Sequence, residues 1–189
     1  MDIIVCGIGG QGIITLGKII LNAALKEGLE ATMAEYRGHA KRFDSTSCHI
    51  RIGSKLSPVI PKGGASLMIA LNSFEALRHG EMLMNQGTMI IEKNSVENNS
   101  LLISEEEAPN LDGVSTQITG KNIVELDFEN LTKQVVELQD KNIFFLGAVS
   151  KLNDFPVSEK NLRESIIELI PKRVESSLSA FDVGANKGF

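Results

Sequence analysis

The feature that most constrains this chain is a glycine-rich turn near its start. A short apolar run over residues 3–6 breaks into four glycines within six residues: Gly7, Gly9, Gly10 and Gly12. The first, second and fourth have the G-x-G-x-x-G spacing, which permits a tight turn, a close backbone approach and helix–strand packing. Glycine loses more backbone entropy on folding than other residues, so this turn requires their φ angles or their small size. The pattern predicts a strand, a tight turn and a helix.

Two interpretations of this turn are open. In the first, free N–H groups at the start of the helix bind an anion with the help of the helix dipole. In the second, the turn is a tight β–α corner that binds nothing, because a glycine fingerprint without further context is weak evidence for a ligand.

Length and charge limit the kind of protein. A chain of 189 residues with 42% hydrophobic content can build one substantial core, so we expect a single domain over 1–189. A net charge of -5 argues against nucleic acid or an anionic membrane as partner, because both require a basic surface. The first residues lack a basic signal-peptide region and no apolar run is long enough to cross a membrane, which predicts a cytoplasmic protein.

The next segments predict an α/β unit. A helical pattern covers Ile13–Lys26, and Glu30–Glu35 returns as a strand that we expect to pair in parallel with the first. Glu35 follows the turn at the distance at which a dinucleotide fold places its ribose-binding acid.

A polar, basic loop follows at residues 36–47. Such a loop would lie at the carboxyl ends of the strands, on the same side as the glycine turn, where open α/β sheets bind ligands. Its alternative is a solvated loop without a ligand. In the anion interpretation, the turn and the loop form one site that could take the phosphate end of coenzyme A, with these members: Gly7, Gly9, Gly10, Gly12, Arg37, Lys41 and Arg42.

The rest of the chain predicts a mostly parallel mixed sheet in a three-layer α/β fold, with a β-hairpin excursion and a helical C-terminal part. The hairpin is predicted from Cys48–Ile52 and Lys55–Ile60 around the Gly53-Ser54 turn. Signals are weak over residues 101–119. The remaining predicted strands are Leu67–Leu71 and Thr88–Glu92, and the helices are Asn72–Leu83, Phe128–Leu138, Asn142–Leu152, Ser158–Leu169 and Pro171–Ala180.

No catalytic or metal-binding constellation stands out. The three histidines are dispersed, and the sequence has no G-x-S-x-G elbow, P-loop lysine or C-x-x-C pair. Cys6 and Cys48 lack a metal-ligand spacing and are too few for a [4Fe–4S] cluster, so they fit a reducing compartment. The chain therefore either borrows its chemistry from a partner or only binds.

Several stretches together resemble a known family. They are Gly7-Ile8-Gly9-Gly10-Gln11-Gly12, Glu35-Tyr36-Arg37-Gly38-His39-Ala40-Lys41-Arg42, His49-Ile50-Arg51-Ile52-Gly53, Ser57-Pro58-Val59-Ile60-Pro61-Lys62-Gly63 and Asn142-Ile143-Phe144-Phe145-Leu146-Gly147-Ala148. Their order and spacing are similar to the gamma domain of 2-oxoacid:ferredoxin oxidoreductases, most closely to the small beta subunit of the indolepyruvate enzymes. One departure is Phe43-Asp44, where relatives usually have a glycine pair.

The resemblance implies a subunit that is inactive alone. It implies a complex that decarboxylates a 2-oxoacid such as indolepyruvate, forms an acyl-CoA and reduces ferredoxin. Thiamine diphosphate and iron–sulfur clusters would lie on a larger partner chain, with no cofactor on this one except for coenzyme A as a substrate. A subunit made for a partner also implies self-association when it is isolated.

Two other functions stay open at this point. A free-standing Rossmann-like nucleotide-binding module would use the glycine turn on pyrophosphate and Glu35 on ribose. A non-catalytic assembly protein would keep the fold of the family after losing its reaction.

Overall fold

The computed structural model describes residues 1–38, 44–53, 57–93, 118–132 and 136–187. The strands are Asp2–Ile8 (β1), Ala31–Arg37 (β2), Ser45–Ile52 (β3), Ala65–Ala70 (β4), Leu83–Glu92 (β5) and Asn122–Leu126 (β6). The α-helices are Ile13–Lys26 (α1), Ser73–His79 (α2), Phe128–Thr132 (α3), Lys141–Val149 (α4), Glu159–Leu169 (α5) and Val174–Lys187 (α6). Single turns of 3₁₀ helix cover Gly80–Met82 and Leu138–Asp140.

The six strands form one mixed sheet in the order β2-β3-β1-β4-β5-β6. The pairs β1–β4, β4–β5 and β5–β6 are parallel, whereas β3 is antiparallel to both β1 and β2. The central strands read as nearly continuous apolar runs because both of their faces are covered. The predicted mixed, mostly parallel sheet with a hairpin and a helical C-terminal part is confirmed.

The sheet separates two hydrophobic cores, which gives the three-layer arrangement. Alternate residues of β1 enter different cores: Ile3 and Val5 pack with α1 and α4, whereas Ile4 and Cys6 pack with Ala76 of α2. The first core is much larger because α1 and the C-terminal helices share it. The glycine turn joins β1 to α1 on this larger side.

The predicted pairing of β1 with β2 is wrong. β3 lies between them, so that His49 is the neighbour of Ile4 on one side and of Ala34 on the other. β3 is almost entirely buried, whereas the C-terminal half of β2 is largely exposed. The more apolar strand therefore takes the inner position, and β2 becomes the edge of the sheet.

The predicted hairpin partner of β3 is also wrong, since the hairpin is β2–β3. Lys55 lies outside the described residues, and residues 57–60 form no strand. Prolines on both sides of Val59–Ile60 remove ladder donors, and side chains bind this segment instead. Arg51 Nη1 donates to the carbonyls of Ser57 and Val59 at 3.0 and 3.1 Å, and Ile60 N donates to His49 Nδ1 at 3.1 Å.

The predicted bounds of helices and strands agree best with the structure where they depend on a local sequence pattern. Helix α1 has its predicted bounds, whereas α2 ends at His79 because Leu83 starts β5. β6, an edge strand, was not predicted at all, and α6 starts and ends later than predicted. Residues 94–117 and 133–135 lie outside the described residues, so the predicted helix Phe128–Leu138 is seen only as α3 and the 3₁₀ turn.

Candidate anion-binding site

The glycine turn runs from the end of β1 to the start of α1. Gly12 is the N-cap of α1 with a φ of 76°, and Gly10 has a φ of 105°. Both angles lie in the left-handed region, which a side chain disfavours. Gln11 N donates to Ile8 O at 3.2 Å and closes the turn. The strand–turn–helix prediction is therefore confirmed, and two of the four glycines are required for their backbone angles.

The other demands on the turn are steric. A Cβ on Gly7 would lie 2.5 Å from Gln11 Oε1 and 2.6 Å from Ile13 Cδ1, and a Cβ on Gly12 would overlap the amide of Asn142. A Cβ on Gly10 would meet no described residue within 4 Å. Gly7 is therefore needed for packing, Gly12 for packing and conformation, and Gly10 for conformation alone.

Two amide side chains hold this turn, and sequence reasoning did not assign a role to either. Gln11 Oε1 accepts from Ile8 N at 2.8 Å and Gln11 Nε2 donates to Leu71 O at 3.0 Å, which joins the ends of β1 and β4. Asn142 Nδ2 donates to Gly12 O at 3.1 Å from the start of α4. Two features of the sequence could have indicated these roles: the position of Gln11 inside the glycine run, and the position of Asn142 at the start of the helical stretch 142–148.

A cleft of about 670 Å³ opens above the turn. Its walls come from the end of β1, the first turns of α1 and the ends of β2 and β3, and include Gly9, Gly10, Gly12, Thr15, Lys18 and Arg37. The N-cap residue Gly12 has no side chain that could cap the start of α1. The N–H groups of a first helical turn have no partners within the helix, so this end of α1 offers donors and the positive end of its dipole to the cleft.

The basic loop reaches this cleft through its first residues. Arg37 and Gly38 line it, and Gly9 N donates to the carbonyl of Asp44 at 2.8 Å, which ties the turn to the hairpin. Lys41, Arg42 and Phe43 lie outside the described residues. The prediction that the glycine turn and the loop lie together is therefore correct for Arg37, while Lys41 and Arg42 stay predictions.

Lys18 adds a cation that sequence reasoning missed, and Glu35 lies between it and Arg37. Glu35 Oε1 lies 3.4 Å from Lys18 Nζ, and Glu35 Oε2 accepts from Arg37 Nη2 at 2.6 Å. Burial acts to raise the pKa of Glu35, but the hydrogen bond from Arg37 and the charge of Lys18 outweigh it, so the pKa is lowered. Two cations and one ionised carboxylate leave a single positive charge on this wall.

This arrangement disagrees with the dinucleotide interpretation of Glu35. A Rossmann fold places its ribose-binding acid on the strand adjacent to the first, and here that neighbour is β3. Glu35 stands one strand further out and is engaged by two cations. The position of Glu35 is suited to neutralising part of the positive charge of Arg37 and Lys18, and less suited to contact with a ribose.

A second, smaller cleft of about 370 Å³ lies on the other face of the hairpin, lined by Tyr36, Ser45, Ser47, His49, Ile60 and His79 among others. The pKa of His49 is lowered by its burial, and its Nδ1 accepts a hydrogen bond, so the ring is neutral. Glu75, buried at the start of α2, accepts from Ser45 Oγ at 2.6 Å and lies 3.2 Å from Arg78. Glu75 thereby anchors the first residue of β3.

Among the described residues, no group of three or more His, Cys, Asp or Glu side chains could hold a metal ion. In that same part of the chain, no helix is both long and apolar enough to span a bilayer. What the described geometry provides is an open cleft with helix N–H donors and a small positive charge, which is suited to an anion.

Comparison with known proteins agrees with this fold. The subunit IorB of indolepyruvate oxidoreductase from Archaeoglobus fulgidus is 29% identical over 190 residues, covering 99% of this chain and 94% of the relative. The crystal structure of a keto/oxoacid ferredoxin oxidoreductase gamma subunit from Geobacter sulfurreducens has a TM-score of 0.73 at 20% identity, covering 99% of this chain and 97% of its own.

The third match is part of a longer polypeptide. In the 2-oxoglutarate:ferredoxin oxidoreductase of Magnetococcus marinus, solved with 2-oxoglutarate, coenzyme A and succinyl-CoA bound, all of this chain superposes on 31% of that chain, with a TM-score of 0.75 and 21% identity. The family model for pyruvate ferredoxin/flavodoxin oxidoreductases matches residues 2–187. The chain therefore belongs to the pyruvate ferredoxin/flavodoxin oxidoreductase family.

Proposed function

We propose that this chain is the small subunit of a 2-oxoacid:ferredoxin oxidoreductase of the indolepyruvate type. The family match over residues 2–187 carries this proposal, because it covers nearly the whole chain. The relative from Archaeoglobus fulgidus is an indolepyruvate oxidoreductase subunit of almost the same length. The reaction is the oxidative decarboxylation of an aryl-pyruvate to an acyl-CoA, with the electrons passing to ferredoxin.

The proposal assigns the redox chemistry to a larger partner subunit. Cys6 belongs to the smaller core and Cys48 to the larger one, so their thiols lie on opposite faces of the sheet. Burial raises the pKa of Cys48 to about 12, which keeps this thiol protonated. These two residues do not fit an iron–sulfur cluster, and we place the clusters and thiamine diphosphate on the partner. Both cysteines are free, which suits the cytoplasm as the compartment.

The contribution of this chain would be the cleft above the glycine turn. We assign it an anion, with the phosphate end of coenzyme A as the proposed ligand. The N–H groups at the start of α1, the Lys18 ammonium and the Arg37 guanidinium are the donors for that anion. Gly10 leaves space at the cleft, because no described residue lies within 4 Å of the position that its Cβ would take.

The experiment is a reconstitution with the large subunit. The complex should convert indolepyruvate and coenzyme A to an acyl-CoA while reducing ferredoxin, and each subunit alone should be inactive. The isolated small chain should self-associate, since the surface for its partner is then uncovered. Full activity of the large subunit alone would contradict the proposal. Saturable binding of NAD or FAD to the small chain would favour the nucleotide-binding alternative.

A further inference from the structure

The side chain of Asn142, which lies 130 positions after the glycine turn, holds this turn in place. Asn142 Nδ2 donates to Gly12 O at 3.1 Å, while its Oδ1 accepts from Ile143 N at 3.0 Å. Each end of the amide has one partner of fixed polarity, so the orientation of the amide is determined. The backbone of Gly12 packs directly on this amide, because a Cβ there would overlap it.

The contact falls on the carbonyl that starts the helix. Gly12 O also accepts from Leu16 N at 2.9 Å, which is the first backbone hydrogen bond of α1. The direction of this carbonyl fixes the first turn of α1 and with it the N–H groups that face the cleft. Asn142 therefore affects the N–H donors of the anion site, although Asn142 itself is not among the described residues that line the cleft.

The base of this contact is rigid. All residues of α4 are buried, including Asn142 at 4% exposure. The neighbouring Lys141 pairs with Glu92, the last residue of β5, and its ammonium lies 5.4 Å from the centre of the Phe128 ring. On the other side, Asp140 accepts from Arg173 Nη1 at 2.7 Å and from Ser177 Oγ at 2.8 Å. The start of α4 is thus fixed to the sheet and to the segment that begins α6.

We propose that Asn142 is a positioning residue of the anion cleft. It sets the affinity for the anion by holding the Gly12 carbonyl, without touching the ligand. This inference rests on the proposed anion site and adds to it a residue 130 positions away from the turn.

The test uses the purified full chain with sulfate, which keeps its charge across the accessible pH range. Asn142→Asp is isosteric, but at neutral pH it puts a carboxylate oxygen against Gly12 O. We expect sulfate binding about tenfold weaker, the effect of one lost hydrogen bond to a charged group. As the pH falls below the pKa of the new carboxyl group, its O–H can donate to Gly12 O, and the affinity ratio to wild type should return towards one.

Two further variants separate positioning from general damage. Asn142→Ala removes the donor without adding a charge, so its affinity loss should not depend on pH. Ser150→Ala removes a hydrogen bond to Gly147 O, 2.6 Å long, near the other end of α4, and should leave sulfate binding unchanged. The charged groups paired around the start of α4 are Lys141 with Glu92 and Asp140 with Arg173, and every variant keeps them.

Hydrogen exchange tests the inference independently of any ligand. In both Asn142 variants without sulfate, the Leu16 amide should exchange about tenfold faster than in wild type, while Ile20 in the same helix stays protected. Wild-type protein that binds no sulfate would overturn the anion site, and the Leu16 amide would still decide the role of Asn142. Wild-type exchange at Leu16 together with wild-type sulfate affinity in both variants would overturn the inference.

Discussion

Glycines serve two regions of this molecule for different reasons. At the turn, Gly10 and Gly12 have positive φ angles, and a Cβ on Gly10 would meet no described residue within 4 Å. Where α4 crosses α6, Gly147 and Gly184 are helical, and a Cβ on either would overlap a backbone carbonyl of the other helix. Gly10 is needed only for its backbone angle, and Gly12 for both angle and size, whereas the crossing needs the small size of glycine. Only at Gly10 should the cost of a substitution therefore depend mainly on backbone angle.

The largest effect is expected at the helix crossing. Gly147→Ala places a methyl group against the carbonyl of Phe181, and neither backbone can move without separating α4 from α6. We expect a loss of roughly 3 kcal/mol in the free energy of unfolding, at the upper end of what overpacking costs. Urea denaturation of the isolated chain measures it. A change below about 1 kcal/mol would show that the crossing can yield, and the comparison would fail.

An intermediate effect is expected at the end of the turn. Gly12→Ala combines a left-handed φ with an overlap on Asn142, and should cost roughly 2 kcal/mol by the same measurement. Gly10→Ala is the matched control, because Gly10 has a positive φ and its Cβ would overlap no described residue, and we expect a cost of about 1 kcal/mol. Equal losses at both positions would mean that the contact with Asn142 adds nothing to the requirement for glycine.

The smallest effect on stability is expected on the wall of the cleft. Arg37→Ala removes an exposed ion pair and should change the free energy of unfolding by less than about 0.5 kcal/mol, yet weaken sulfate binding about tenfold. Lys62→Ala, which removes the more exposed pair with Glu81, is the control and should leave sulfate binding unaltered. If Arg37→Ala binds sulfate with wild-type affinity, Arg37 is not part of the anion-binding site.

The same variant has a pH signature. The lowered pKa of Glu35 means that the stability it contributes is present above its ordinary pKa and is lost as the pH falls through the lowered value. Without Arg37 the pKa of Glu35 rises towards its ordinary value, so the stability lost on acidification should be smaller and the loss should be complete at a higher pH. Titration of the Glu35 carboxyl by NMR in both proteins measures the shift.

Local sequence signals predicted the part of the site that local interactions build. The spacing of four glycines and the apolar period after them predicted β1, the turn and the residues of α1, because both patterns arise from neighbouring residues in the sequence. Arg37 was placed at the cleft for a topological reason, since it ends a strand whose carboxyl end faces the same edge.

The missing parts of the site depend on contacts between distant residues. The pattern of β3 identified a strand but gave no indication that it lies between β1 and β2, because strand order depends on which surfaces are most apolar overall. The helical pattern of α1 gives Lys18 no special role, because its proximity to Glu35 depends on where β2 lies in the sheet. Asn142 acts across 130 positions, and no local pattern carries such a contact.

The insertion of β3 has a consequence for how this cleft can vary. Because the hairpin returns directly beside β1, the described residues that line the cleft all lie between Ile8 and Thr46. Two residues that hold the turn from other elements lie later in the chain. They are Leu71, whose carbonyl accepts from Gln11, and Asn142, which donates to Gly12 O. The described lining of the cleft and the two outside residues that hold the turn, Leu71 and Asn142, thus lie in separate stretches of sequence, so the lining can change between relatives without a change in either holding residue.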